Sequence, residues 1–327
     1  MKSQPVTQDI HFIFLLFKTI CSDMVSFLVS TAAIAMLAEI VLGTFANVFI
    51  VLVNCTDCIK RRKISIADRI LTALAVFRIG LLWIILMNWC STVFHLALSL
   101  QVRVSICVGW IVTNHFNTWL ASILSVLYLL KIGNFSNPIF LVLKGKFKSV
   151  LIVVFLFSLV FLFPSLMLVT LCETTQEDGR RGNLTGKAKW TYFTNLTAIM
   201  TFTLDSVVPF TTSMICFLLL IHSLCKHIRT MKLYGKGSHD PSASAHIKAL
   251  QAVTSFLLLF SMFILSLIIS VYHYRNSLEE PVHLICQIIG TLYPSSHSYI
   301  LLWRNKRVKQ AFVLAMVQVR ARLWLKE

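Results

Sequence analysis

Three ionisable residues stand inside long apolar segments of this chain and are the side chains best placed to do chemistry: Glu39, Arg78 and Asp205. An ionised group is costly to bury in an apolar medium, so such residues face a helical interior and bond a partner there. Glu39, Gly43 and Asn47 recur every four residues and share one helical face, where the glycine lets a neighbour approach and the amide can bond it. The placement predicts a structural ion pair between Glu39 and Arg78, with a proton relay as the functional alternative.

A second set of residues combines aromatic rings with a few polar groups, as a small-molecule pocket requires. Trp110 and Asn114 are four residues apart and therefore lie on one helical face. Asp205 has no evident Lys or Arg partner, so it either accepts a charged hydrogen bond from a cationic ligand or is a protonated acid that bonds a neighbouring helix. The alternative for the tryptophans is an anchoring role at the membrane interface. The candidate ligand-binding residues are Trp89, Trp110, Asn114, Asp205, Phe263 and Gln287.

The arrangement typical of an enzyme or a metal centre is missing from the sequence. No Ser-His-Asp or paired-carboxylate pattern is legible. Of the nine cysteines, only Cys55 and Cys58, in the segment CTDC at a helix end, are three residues apart, and they lack partner ligands for a metal. Cys107 and Cys172 fall near the outer ends of two predicted helices; the sequence leaves a disulfide open, and we favour two thiols. We therefore predict no enzymatic activity, no metal and no cofactor.

Seven apolar stretches must position these residues. A bilayer core about 30 Å thick is crossed by roughly 20 helical residues, and each stretch reaches that length. The chain is 57% hydrophobic and only 13% charged, whereas soluble proteins carry about 25% charge, which excludes a soluble enzyme. The fold class is an all-α membrane protein with a seven-helix bundle over 25–304, an extracellular extension at 1–24 and a basic amphipathic tail at 305–327. The predicted spans are 27–54, 67–91, 105–130, 149–172, 196–225, 249–272 and 282–303.

The basic residues predict the topology of this bundle. The net charge is +17, and most of the 30 Lys and Arg residues follow the first, third and fifth spans or lie in the tail. The positive-inside rule makes that side cytoplasmic and places the N-terminus outside, although Met24 is an alternative start. Nucleic-acid binding is disfavoured, because the charge is distributed among loops. The tail's cationic side predicts contact with anionic membrane lipids.

Four segments carry a resemblance to a known family. They are AEIVLGTFANVFI (38–50), NHFNTWLASILSVLYLLKIGNFSNPIFLVLK (114–144), GKGSHDPSASAHIKAL (235–250) and LYPSSHSYILLWRNKRVKQAF (292–312). In this order they resemble the type 2 (bitter) taste receptors, a family of G-protein-coupled receptors, over nearly the whole chain beyond Met24. The resemblance implies a multi-pass plasma-membrane receptor that binds bitter compounds and activates gustducin or a related heterotrimeric G protein.

The resemblance also implies roles for particular residues. The family's ligand pocket centres on the tryptophan of the third helix, here Trp110, with Asn114 and Trp89 beside it. Phe263 stands where the family often has Tyr, and Gln287 where some members have Glu, so this chain lacks a hydroxyl and a charge there. Asp205 is not typical of the family.

Inner motifs of the family are recognisable as well. LYLLK (127–131) resembles the FYxLK motif of the third helix, and His297 with Ser298 opens an HSxxL-like motif that ends at Leu301. His297 is either a structurally satisfied residue or part of the activation switch. Switching or structural roles fall to Glu39, Asn47, Arg78, Tyr128, Lys131, His297 and Ser298.

Two expectations separate a receptor from its main alternative, a small transporter or channel. A transporter needs substrate groups at mid-membrane and a through path, which one Glu, one Arg and one Asp support only thinly. A receptor needs a G protein for its signal. The sequon Asn183-Leu184-Thr185 falls in the second outer loop and predicts a glycosylated Asn183.

Overall fold

The computed structural model describes residues 6–60, 64–94, 96–180, 187–233, 251, 254–269, 280–304 and 306–324. Within these ranges the chain folds into helices and contains no strand. The helices are α1 (Val6–Ile59), α2 (Ile66–Val93), α3 (Leu100–Ile132), α4 (Pro138–Gly145), α5 (Phe147–Arg180), α6 (Lys187–Leu233), α7 (Thr254–Ile269), α8 (Glu280–Arg304) and α9 (Lys306–Trp324).

Five of these helices contain a segment long and apolar enough to cross a membrane. The segments are Ser30–Ile59, Ile66–Ser91, Leu100–Ile132, Phe147–Leu171 and Thr203–Lys226. They confirm the first five predicted spans, with small shifts at the ends. α7 lies inside the sixth predicted stretch and α8 covers the seventh. The protein is an all-helical membrane protein; the count of seven spans and the orientation remain predictions.

α3 is the central helix of the bundle. It packs against α2, α5 and α6, whereas α1 packs against α2 and α8. By contrast, α5 keeps Val153, Val160 and Met167 more than 60% exposed, as lipid-facing residues should be. The core that α3 shares with its neighbours is rich in leucine and phenylalanine. Polar side chains that α3 carries into this core therefore have no access to bulk water.

The connection between α3 and α5 is fixed by side-chain hydrogen bonds. Asn137 accepts a hydrogen bond from the Ile139 amide at the start of α4, which has proline as its first residue. The Asn134 amide donates to Ser223 Oγ on α6 at 2.9 Å, and Lys144 Nζ donates to the Gly133 carbonyl at 2.9 Å. The short connection between α3 and α5 is thereby held against α6.

α1 and α8 approach closely at Gly43, as its place on the predicted face suggested. A Cβ at this position would lie 2.5 Å from Ser295 Oγ, so any larger residue would push α8 away. Ser295 Oγ donates to the Glu39 carbonyl, and Tyr299 donates to the Leu42 carbonyl. A small residue such as glycine is required where the Ser295 side chain comes this near to the backbone of α1.

Prolines stand inside three of the long helices. Pro164 lies in α5, Pro209 in α6 and Pro294 in α8. Proline lacks the N–H that would bond the carbonyl four residues earlier. The prolines of α6 and α8 therefore leave the carbonyls of Asp205 and Gly290 without that bond.

The C-terminal tail forms the helix α9. Phe312 packs edge-to-face on Phe49 of α1 at 5.4 Å, and Val308 is buried beside Leu302. Val308 and Phe312 are four residues apart and lie on one face of α9. The contacts place the first half of α9 against the C-terminal half of α1.

Candidate ligand-binding site and interior polar network

Arg78 lies in the interior of the bundle, with 1% of its surface exposed. Its Nε donates to Asn117 Oδ1 on α3 at 3.1 Å, its Nη1 donates to Ser298 Oγ on α8 at 3.0 Å, and its Nη2 bonds His297 Nδ1. A guanidinium has donors only, so Nδ1 of His297 must be the acceptor and the ring proton must sit on Nε2. His297 is therefore neutral and bonded to Arg78 through Nδ1, and both the structural and the switching role stay predictions.

The same network continues into α1. Ser298 Oγ donates to Asn47 Oδ1 at 2.8 Å, and Asn47 Nδ2 donates to the Gly43 carbonyl at 2.8 Å. A longer contact of 3.5 Å joins Asn47 Nδ2 to the Pro294 carbonyl. Through Arg78 and these groups, α1, α2, α3 and α8 share one buried polar network. Asn47 thus makes the inter-helix bond that the sequence predicted.

Glu39 does not pair with Arg78, so that prediction is wrong. The carboxylate of Glu39 accepts a hydrogen bond from Thr291 Oγ1 on α8 instead. The physical reason is depth: Arg78 reaches α1 at the level of Asn47, which is eight residues, or about 12 Å of helix, from Glu39. The two charges lie inside adjacent helices at different levels of the bundle.

Asp205 is 2% exposed and bonds a neighbouring helix. Its Oδ1 accepts from His115 Nδ1 at 2.8 Å and from Trp119 Nε1 at 2.9 Å, both on α3. Of the two alternatives that the sequence left open, this is the bond to a neighbouring helix. The sequence reasoning missed both partners, although His115 and Trp119 are four residues apart on one face and His115 follows Asn114 directly.

The six candidate ligand-binding residues fall into different packing environments. Trp89 is 9% exposed and packs with Met36, Ile40 and Leu82, between α1 and α2. Phe263 belongs to the main core, with its ring 5.1 Å from that of Tyr293. Trp110 and Gln287 are half-buried. Trp89 and Phe263 therefore pack against other side chains of the protein, whereas Trp110 and Gln287 keep part of their surface exposed.

Asn114 and His115 carry interior polar atoms with spare bonding capacity. Both side chains are at most 1% exposed, and within the described part of the chain neither Asn114 Oδ1 nor His115 Nε2 has a hydrogen-bond partner. Buried polar atoms are nearly always satisfied by protein, water or a ligand. With Trp110 one turn away on the same face as Asn114, these atoms define the candidate ligand-binding site on α3.

The remaining candidates lie nearer the ends of the helices. Tyr128 packs against the main core, while Lys131 is exposed at the C-terminal end of α3. Cys107 is a thiol, not half of a disulfide, and contacts Glu173 Oε1 at 3.7 Å. This confirms the expectation for Cys107. Asn183 lies outside the described residues.

Comparison with known proteins agrees with this architecture. The family model described as "Taste receptor protein (TAS2R)" matches residues 24–320. The chain is similar to "Taste receptor type 2 member 136" of Rattus norvegicus, at 77% identity over 327 residues, or 100% of this chain and 99% of the relative. The Mus musculus protein of the same name is 76% identical over 304 residues, covering 93% and 99%. "Taste receptor type 2 member 50" of Macaca mulatta is 48% identical over 298 residues, covering 91% and 100%.

Proposed function

The chain belongs to the type 2 taste receptor family, and we propose that it detects small bitter compounds at the plasma membrane and activates a gustducin-type heterotrimeric G protein. The bundle would have seven spans, with its N-terminus outside and α9 in the cytoplasm. The clustering of Lys and Arg on one side supports this orientation. Outside the cell, Asn183 would carry a glycan; inside, the cationic tail would meet anionic lipids.

The candidate site on α3 is the observation that carries the proposal. Asn114 lies 14 residues from the start of α3, about 21 Å along the helix, where an extracellular ligand entering between helices would reach it. Its Oδ1 needs a donor, which an agonist hydroxyl, amide or ammonium group supplies. Trp110 adds an aromatic surface on the same face for ring stacking. Trp89, Phe263 and Gln287 would shape the pocket from α2, α7 and α8.

Asp205 would take part in recognition through His115. Since the carboxylate is engaged by His115 Nδ1 and Trp119 Nε1, it orients the imidazole so that Nε2 is presented as an acceptor. The ligand would then meet His115, and Asp205 would be a positioning residue. A neutral donor group suits this arrangement as well as an amine does.

Activation would be transmitted by the polar network toward the inner ends of the helices. His297 and Ser298 hold Arg78 from α8, and Asn47 links them to α1. A shift of α8 relative to α2 would exchange these bonds. Tyr128 and Lys131 at the inner end of α3 lie where the G protein would dock.

The test is a concentration–response measurement of calcium release in cells that express the receptor with a gustducin-type Gα subunit, across a panel of bitter compounds. Trp110→Ala should raise the half-maximal concentration about fivefold or more at matched surface expression, because an aromatic wall is worth about 1 kcal/mol or more. Trp83→Ala is the matched control, since Trp83 is 51% exposed on α2.

Three results would contradict the proposal. The first is an unchanged half-maximal concentration for Trp110→Ala across several agonists. The second is a compound response that persists without any G protein. The third is substrate uptake by the expressed protein, which would favour a transporter.

A further inference from the structure

Arg78 carries its positive charge into the interior without a negative partner. Its three acceptors are Asn117 Oδ1, Ser298 Oγ and His297 Nδ1. All three groups are neutral, the imidazole because its Nδ1 accepts a hydrogen bond. Neutral acceptors orient a guanidinium, but they do not balance its charge.

Carboxylates elsewhere in the spanning helices do not fill this role. Glu39 bonds Thr291, and Asp205 bonds His115. In the part of the chain that the structure describes, no acidic side chain contacts Arg78. A buried ion is strongly disfavoured unless an opposite charge and hydrogen bonds meet it. The interior around Arg78 is therefore short of one negative charge.

Two further hydrogen-bond donors beside Arg78 lack an acceptor. Asn117 and Tyr293 are both 0% exposed. Within the described residues, Asn117 Nδ2 has no hydrogen-bond partner, and the Tyr293 hydroxyl, which lies close enough to Arg78 to accept from it, has no acceptor for its own proton. Because Asn117 Oδ1 holds Arg78 Nε, the amide nitrogen on the same carbon stays within a few ångströms of the guanidinium. The Tyr293 ring lies with its centroid 5.2 Å from Arg78 Cζ.

We propose that Arg78, Asn117 and Tyr293 form a binding site for a small monovalent anion of the halide type, with chloride as the physiological ion. One such ion would accept from the unused amide and phenol donors and would balance the guanidinium at the same time. Water would satisfy the donors but leave the charge uncompensated. The tight packing of Tyr293 on Phe260, with ring centroids 5.2 Å apart, disfavours a larger oxyanion. The ion would brace α2, α3 and α8 against one another.

The first experiment measures the thermal unfolding midpoint of the purified full-length receptor in nanodiscs of zwitterionic lipid. Sodium chloride replaces sodium gluconate at constant ionic strength. A ligand that binds only the folded state raises the midpoint with its concentration, so we expect a saturable rise of a few degrees, reproduced by bromide. A midpoint that does not respond to either halide would show that water alone occupies the site and would overturn the proposal.

Two variants locate the effect at this site. Asn117→Asp puts a carboxylate beside Arg78 in place of the ion, so the chloride dependence should disappear while the midpoint in gluconate is at least that of the wild type in chloride. Tyr293→Phe keeps the stacked ring and removes one donor, so the half-saturating chloride concentration should rise severalfold. Ser122→Ala is the control: Ser122 is buried on α3 with its hydroxyl also unsatisfied among the described residues, and its loss should leave the chloride curve unchanged.

The same variants define the results that would contradict the anion site. If Asn117→Asp fails to fold, the Tyr293→Phe titration still decides, because an unchanged half-saturating concentration would overturn the proposal. A chloride response of wild-type size in Asn117→Asp would show that the ion binds elsewhere. The measurement needs no agonist or G protein, so its result is independent of the proposed receptor function.

Discussion

Arg78 and Asp205 are the most deeply buried charged residues among those the structure describes, and the protein accommodates them in different ways. Asp205 receives two donors from one neighbouring helix, so it joins only α6 and α3. Arg78 donates to α3 and α8 and, through Ser298, reaches α1. The planar guanidinium has five donors pointing outward, whereas a carboxylate collects donors around two oxygens. The chemistry of the charged group therefore decides whether it joins two helices or four.

The largest expected effect on stability follows from removing Arg78, whose hydrogen bonds link α1, α2, α3 and α8. Arg78→Leu leaves Asn117 Oδ1, Ser298 Oγ and His297 Nδ1 without their donor, and each unpaired buried acceptor costs about 1–3 kcal/mol. We expect a strong loss of surface expression and a large fall in the thermal midpoint of the purified protein. Arg229→Leu, at an exposed arginine of α6, is the control. Expression and midpoint equal to the wild type would show that the network does not hold the bundle.

The contact of Asp205 with α3 should lose more stability when the acceptor oxygen is removed than when only the charge is removed. Asp205→Leu leaves the His115 and Trp119 donors unpaired and should lower the free energy of unfolding by about 2 kcal/mol or more. Asp205→Asn keeps an oxygen for both donors and loses only the charge assistance, so its cost should be about 1 kcal/mol. Thermal unfolding of the two variants in parallel checks this order. Equal destabilisation by both would mean that the charge, rather than the acceptor oxygen, is what α3 requires.

A smaller effect is expected on agonist selectivity. If Asp205 acts through His115, Asp205→Asn should shift the half-maximal concentrations of protonated amines and of neutral agonists by the same few-fold factor. Calcium release with amine and neutral compounds of similar size, at matched surface expression, tests this. A loss confined to amines would restore direct contact between the carboxylate and a cationic ligand.

The smallest effect concerns Glu39 and Arg78, which occupy different levels. Glu39→Gln retains an acceptor for Thr291 and should cost less than about 1 kcal/mol. Because the two side chains share no contact, the cost of combining Glu39→Gln with Arg78→Leu should equal the sum of the single costs within about 0.5 kcal/mol. A cost of the double variant that is smaller than this sum would show that Glu39 and Arg78 interact, as the sequence suggested.

The sequence was most informative where a property follows from composition along one helix. Apolar length predicted the five confirmed spans, and the four-residue spacing of Glu39, Gly43 and Asn47 predicted the face on which α1 meets α8. A charge in an apolar stretch also identified Arg78 as an interior residue. These properties depend on local periodicity and on the cost of burying charge, which a single sequence contains.

Partners across helices were less predictable. The pairing of Glu39 with Arg78 required the relative depth of α1 and α2, which the packing of many side chains sets and no local pattern encodes. His115 and Trp119 are ordinary residues of an aromatic-rich helix, and only the rotation of α6 brings Asp205 to them. The His115–Asp205 bond therefore could not be inferred from the sequence of either helix alone.

The proline of α6 weakens the helix at Asp205, the residue whose side chain bonds α3. Pro209 removes the backbone bond to the carbonyl of Asp205, so α6 bends more easily there than elsewhere. The side chain of that same residue is fastened to α3 through His115 and Trp119. α6 is therefore held to α3 at the point where it bends most easily. The segment from Asp205 to Lys226 is about 30 Å long, and a tilt of about 5° at Asp205 displaces the Lys226 end by roughly 2 to 3 Å, about half the pitch of a helical turn.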